Sequence, residues 1–150
     1  MVFKLKYHGQ KEIGFVLGHE FGNELKNSVF NEIDVIVPIP LHIKKERKRG
    51  YNQAEWIAQG IGKAMGKPVN TKSVQRTLET STQTKKSKFE RWKNVENIFK
   101  VVDPQAIRDK HILLVDDIIT TGSTLEACIH TVLEIEGTVV SVATIGAAKD

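Results

Sequence analysis

The chain is predicted to fold as an α/β domain built on a parallel sheet, and three features carry that expectation. Apolar, β-branched runs at Val35-Ile36-Val37 and Ile112-Leu113-Leu114-Val115 read as buried parallel strands. Segments with helical spacing lie between such runs, so strands and helices alternate along the chain. Each run ends abruptly, the first at Pro38 and Pro40 and the second in Thr120-Thr121-Gly122-Ser123. At 150 residues the chain is one domain, 1–150, able to bury about 70% of its unfolded surface.

From the N-terminus, Ile13, Val16, Leu17, Phe21 and Leu25 keep one face of a helix over residues 10–28, which Gly14, Gly18 and Gly22 weaken. The strand Val35-Ile36-Val37 follows and stops at Pro38, opening a loop. Asn52-Gln53-Ala54-Glu55 caps a second helix with Ile57, Ala58, Ile61, Ala64 and Met65 on its apolar face, and Gly66-Lys67-Pro68 ends it. A strand is expected over residues 69–75, then a polar stretch over 77–94 with few core residues. Strands over 97–102, 111–116 and 138–145 complete the sheet. Between the last two, Ser123-Thr124-Leu125-Glu126 has the form of a capping box, and Leu125, Cys128, Ile129, Val132 and Leu133 recur at helical spacing.

The turn ahead of that last helix is where chemistry is expected. Asp116 and Asp117 stand at the strand's carboxyl edge, where open α/β sheets bind ligands. The helix that follows offers amides without intrahelical partners and about half a positive charge, which suit a phosphate dianion. Thr120, Thr121, Ser123 and Thr124 add hydroxyls, and Gly122 lets the backbone approach and take a positive φ. Adjacent carboxylates can accept hydrogen bonds from vicinal hydroxyls and attract Mg²⁺ through water. A ribose 5-phosphate fits this layout. The plainer alternative is that one aspartate caps the turn and the other ends the strand.

Composition narrows the class. The single cysteine, Cys128, falls on an apolar helix stripe and reads as core, so no disulfide framework exists. No segment approaches the roughly 18 apolar residues of a membrane span, and a cytoplasmic location without membrane partners is expected. The net charge of +4 is concentrated. Lys44, Lys45, Arg47, Lys48 and Arg49 surround only Glu46, and Lys85, Lys86, Lys88, Arg91 and Lys93 surround only Glu90. Two basic segments in an otherwise acidic chain point to polyanionic ligands.

Val115-Asp116-Asp117-Ile118-Ile119-Thr120-Thr121-Gly122-Ser123-Thr124 resembles the phosphoribosyl pyrophosphate (PRPP) signature of type I phosphoribosyltransferases. Response-regulator receivers also place an acid pair after an apolar strand, but early in the chain, and only 33 residues follow Asp117 here. Pro38-Ile39-Pro40-Leu41, Arg47, Arg49-Gly50-Tyr51-Asn52-Gln53-Ala54-Glu55, Gln83-Thr84 and Arg91-Trp92-Lys93-Asn94-Val95 extend the resemblance to the ComF family, which is amidophosphoribosyltransferase-like. Many ComF relatives carry an N-terminal cysteine-rich zinc module that this sequence lacks, so no structural metal is expected.

The resemblance implies a parallel sheet flanked by helices, with a mobile loop over the site, and a Mg²⁺-dependent transfer of phosphoribosyl from PRPP to a nitrogen acceptor. Asp116 and Asp117 would hold the ribose hydroxyls and the hydrated metal, and Thr120 to Thr124 the 5-phosphate. Leu41, His42, Arg47 and Arg49 would bind pyrophosphate from the loop after the first strand. Residues 77–94 would close over the substrate, bringing Gln83, Thr84, Lys85, Lys86 and Arg91 to the same group. Purine-salvage relatives carry an aspartate where Thr120 stands, so hypoxanthine and guanine are disfavoured as acceptors. Two alternatives stay open: a PRPP or nucleotide sensor without turnover, and a competence factor whose basic loops track DNA. A homodimer also stays open.

Overall fold

The computed structural model describes residues 11–41, 46–48, 50–77 and 98–148. At its centre are three parallel strands, β1 (Val35–Pro38), β4 (His111–Ile119) and β5 (Val139–Ala147), in the order β1-β4-β5. Their middle residues Ile36, Val37, Ile112, Leu113, Leu114 and Val115 are almost wholly buried because helices or strands cover both faces.

On one face lie α1 (Lys11–Lys26) and α2 (Gln53–Met65), sealing Ile33, Ile36, Ile57, Ala58, Ile61, Met65, Leu113, Val115 and Ala143. The other face carries α3 (Ser123–Leu133) and a separate two-stranded ladder, β2 (Val74–Arg76) with β3 (Phe99–Val101). There Val37, Val74, Phe99, Ile107, Ile112, Leu114, Cys128 and Val132 form the second core.

Three expectations change. β2 and β3 are antiparallel and stand outside the parallel sheet. Val69 bridges Ile36, through bonds from the Ile36 amide to the Pro68 carbonyl and from the Asn70 amide to the Ile36 carbonyl, before the Asn70 side chain turns the chain away: its Oδ1 accepts from the amides of Lys72 and Ser73, and its Nδ2 donates to Ser73 Oγ. An Asx turn inside the run expected to be one strand splits it in two. Second, β4 does not stop at Asp116 but runs on to Ile119, held by β5 through the pairs Asp116 with Thr144 and Ile118 with Gly146.

Third, the buried stripe of α1 is made of its glycines. Gly14, Gly18 and Gly22 are buried while Val16 is 57% exposed. A Cβ on Gly18 would collide with the Ile57 carbonyl, and one on Gly60 with the Phe15 carbonyl. The glycines that weaken α1 as an isolated helix therefore let two backbones press together. Lys11, at the head of α1, lies over the rings of Tyr51 and Trp56 at 5.6 and 5.8 Å, so the two helices start at the same end of the sheet.

Candidate functional site

β1 stops short of β4, and the site lies in the notch that this leaves. The last backbone bond between the two is Ile39 N–H to the Val115 carbonyl, so the chain after β1 departs beside Asp116 and Asp117. Pro38 and Pro40 have no N–H with which to continue the ladder. A cleft of about 140 Å³ results, lined by Ile39, Pro40 and Leu41 from the loop, Asp116 to Ile119 from β4, Thr120 and Gly122 from the following turn, and Thr124 from the head of α3. Asn52, Gln53 and Ala54 line it from the head of α2, and Arg76 from the end of β2.

The acid pair is partly buried, and among the described residues its hydrogen bonds are local. The Asp117 amide donates to Asp116 Oδ1 at 2.8 Å, and the Ile118 amide donates to Asp117 Oδ1 at 2.7 Å. One oxygen of each carboxylate is thus oriented by the strand itself. Burial raises the Asp116 pKa from 3.8 to about 7, helped by a hydrogen bond to Asp117 and by that residue's charge. Arg76 pulls the other way by its positive charge.

Two helix amino termini meet at the cleft. Asn52 caps α2, accepting from the Ala54 amide through Oδ1 while its Nδ2 donates to the Ile39 carbonyl at 3.1 Å, tying the helix to the loop after β1. At the head of α3 the expected Ser123 capping box does not form. Gly122 is the N-cap, at φ 82°, and Ser123 is already helical. Thr121 takes the capping role, with Oγ1 accepting from the Ser123 amide at 3.3 Å and sharing a 2.9 Å bond with Ser123 Oγ. Glu126 N–H closes the first intrahelical bond to the Gly122 carbonyl, which leaves the amides of Thr124 and Leu125 without intrahelical partners.

The structure brings Asp116, Asp117, Thr120, Gly122, Thr124 and Leu41 to one cleft. Thr121 and Ser123 are exposed beside it. Arg47 lies on a helical turn over 46–48, exposed and not among the cleft-lining residues. His42, Arg49, Gln83, Thr84, Lys85, Lys86 and Arg91 lie outside the described residues, as does the expected closing loop apart from Thr77. Thr77 N–H donates to the Ile98 carbonyl at 2.6 Å, so the two ends of that segment meet where β2 joins β3.

Asn52, Gln53 and Arg76 went unassigned as cleft residues at the level of sequence. Asn52 was legible only as a cap. Arg76 left no distinguishing signal in the sequence, following Val74 and Gln75 in a mostly polar run.

The donor set limits what cation the cleft can take. Among the described residues no group of three or more His, Cys, Asp or Glu side chains gathers around a common point. Two adjacent carboxylates suit a hydrated Mg²⁺ completed by phosphate oxygens and cannot enclose a bare ion.

A parallel sheet with an acid pair on its central strand and two helix amino termini converging beside it defines the class as the type I phosphoribosyltransferase fold. The same fold appears in glutamine PRPP amidotransferase from Bacillus subtilis, solved with ADP and GMP (TM-score 0.60, 20% identity, 87% of this chain and 26% of that one). It also appears in a purine phosphoribosyltransferase from Pyrococcus horikoshii (TM-score 0.52, 15% identity, 92% and 74%). The chain belongs to the phosphoribosyl transferase domain family, which it matches over residues 7–149.

Its similar relatives include competence protein F of Haemophilus influenzae, 37% identical over 93 residues, covering 61% of this chain and 41% of that protein. The DNA utilization protein YhgH of Escherichia coli is 29% identical over 129 residues (83% and 56%). Competence protein ComFC of Bacillus subtilis is 31% identical over 131 residues (87% and 51%). The chain spans about half the length of these curated relatives.

Proposed function

We propose that the chain binds PRPP in the cleft at Asp116 and transfers its phosphoribosyl group to a nitrogen acceptor, releasing pyrophosphate. The observation that supports this most is the shared cleft: two carboxylates whose hydrogen bonds among the described residues run only to each other and to the next amide, facing a glycine-headed helix terminus. The carboxylates accept the ribose hydroxyls. The amides of Thr124 and Leu125, with the hydroxyls of Thr120 and Thr124, take the 5-phosphate, and Thr121 and Ser123 hold the turn in shape.

Transfer breaks the bond from the anomeric carbon to pyrophosphate, so charge grows on the leaving group and must meet preorganised donors. The loop after β1, with Leu41, His42, Arg47 and Arg49, is the first candidate, and Gln83, Lys85 and Arg91 are the second. Asp116 and Asp117 would hold Mg²⁺ through water, and the ion would supply charge neutralisation at the phosphates.

The test is calorimetry with PRPP and MgCl2 on the folded protein. Asp117→Asn is expected to weaken binding by about tenfold or more, the worth of a hydrogen bond to a charged group. Gly122→Leu is expected to do the same, because leucine at φ 82° strains the turn that presents the amides. No heat from the wild-type protein rejects the proposal.

A second reading is favoured by a specific lack: among the described residues the cleft offers no proton acceptor besides its own ribose-binding carboxylates, and Thr120 is none. On this reading the protein binds PRPP or a nucleotide as a regulator, or serves DNA uptake through its basic loops, in line with its relatives' names. PRPP affinity without pyrophosphate release across a panel of amines and nucleobases would select it.

A further inference from the structure

Among the described residues Arg76 is the one cation that lines the cleft, and no hydrogen bond or salt bridge among them holds its guanidinium. It ends β2 and lines the cleft together with Asp116. Its Nε is buried and has no hydrogen-bond partner among the described residues. The guanidinium carbon sits 5.6 Å from the centroid of Phe99, on the facing strand β3. Burial lowers its pKa, and the charge of Asp116 acts in the opposite direction, which marks the two groups as electrostatic neighbours. No salt bridge joins them among the described residues.

Each of these facts bears on what the side chain is for. Arginine stays charged under all physiological conditions, so burial cannot be relieved by losing a proton. A buried donor without a partner is costly, and more so when it belongs to a charged group. The aromatic ring beside it favours one plane for the guanidinium, leaving the in-plane N–H fork for a ligand. That fork matches the paired oxygens of a carboxylate or phosphate. Asp116 shares the cleft and accepts hydroxyl donors, so a molecule between them would carry hydroxyls at one end and an oxyanion at the other.

We propose that Arg76 is a binding residue of the cleft that receives an oxyanion from the same ligand set whose hydroxyls meet Asp116. The inference rests on the PRPP reading for the identity of that set. The oxyanion has two sources: the pyrophosphate of PRPP itself, or a carboxylate on the acceptor. In the second case the acceptor would be an acidic amine or an acidic ring nitrogen compound.

The experiment compares wild type with Arg76→Gln and Arg76→Lys by calorimetry with MgCl2. The probes are ribose 5-phosphate, PRPP, inorganic pyrophosphate, and anthranilate beside its carboxyl-free counterpart aniline, the last two in the presence of PRPP. Melting curves check that the variants are folded. Ribose 5-phosphate is expected to bind Arg76→Gln within about twofold of wild type, while the oxyanion probe weakens about tenfold or more and Arg76→Lys falls between. Loss confined to PRPP and pyrophosphate supports the assignment and identifies pyrophosphate. Loss of anthranilate with PRPP unchanged supports it and identifies the acceptor. Equal binding of every probe to wild type and a folded Arg76→Gln overturns it. If wild type binds neither PRPP nor ribose 5-phosphate, the phosphoribosyl reading fails separately, and pyrophosphate alone decides for Arg76.

Discussion

Asp116 faces two opposing demands, since the fold buries its carboxyl while the proposed chemistry needs it charged. Its pKa rises from 3.8 to about 7, first through burial and then through Asp117, so the folded chain holds a proton that the unfolded chain has released. The native state binds more protons between those two values, and stability must therefore fall as pH rises through that window and level off above it. Asp116→Asn is expected to remove this fall and to be more stable at pH 8 by on the order of 2 kcal/mol, as read by urea unfolding at pH 5 and pH 8. Ligand binding should run the other way. A Mg²⁺-dependent ligand needs the carboxylate, so PRPP affinity is expected to drop by up to about tenfold per pH unit below 7. An affinity independent of pH between 5 and 8 would show that Asp116 is not a contact.

Close packing between α1 and α2 decides where the rim of the cleft stands, because α2 begins at the cleft with Asn52 and Gln53. Gly18→Ala should force the helices apart, costing about 1–3 kcal/mol by thermal or urea denaturation. The sequence foretold α2 well: Ile57, Ala58, Ile61, Ala64 and Met65 are all buried, and Gly66 ends the helix in the left-handed conformation. It foretold α1 in extent and in part of its face, since Phe21 and Leu25 pack against the core while Val16 is exposed, but periodicity counts large apolar side chains and cannot see the glycine contact made by having none. The β2–β3 ladder was legible as two strands and not as a separate antiparallel pair, because pairing partners are set by tertiary contact. The acid pair and its turn were legible as a unit from local residues alone. Arg76 was not, because its neighbourhood with Asp116 and Cys128 spans distant parts of the chain.

Across the whole molecule, a DNA role for the basic run and sugar-phosphate binding at the acid pair are separable by experiment. The run Lys44, Lys45, Arg47, Lys48 and Arg49 follows β1 in the sequence, whereas the acids sit on the central strand. If the basic run serves DNA, binding should weaken linearly in log affinity against log salt, with a slope of about −0.9 for each phosphate neutralised. Neutralising those five residues should flatten the slope measured by fluorescence anisotropy on duplex DNA, while leaving ribose 5-phosphate binding in place. A salt-insensitive or absent DNA signal would remove the DNA role without touching the proposed cleft chemistry.

β4 outruns β1, so among the described residues the acid pair beyond Val115 has a strand neighbour on one side only, and that neighbour, β5, is the border of the described sheet. Val139 and Val142 stand exposed along it, and the nine residues of β5 include no charge to deter a visiting strand. Self-association through this border would tug at the support on which both aspartates ride. Clumping and loss of ligand would then arrive together, and a lysine introduced at Val142 should protect against both at once.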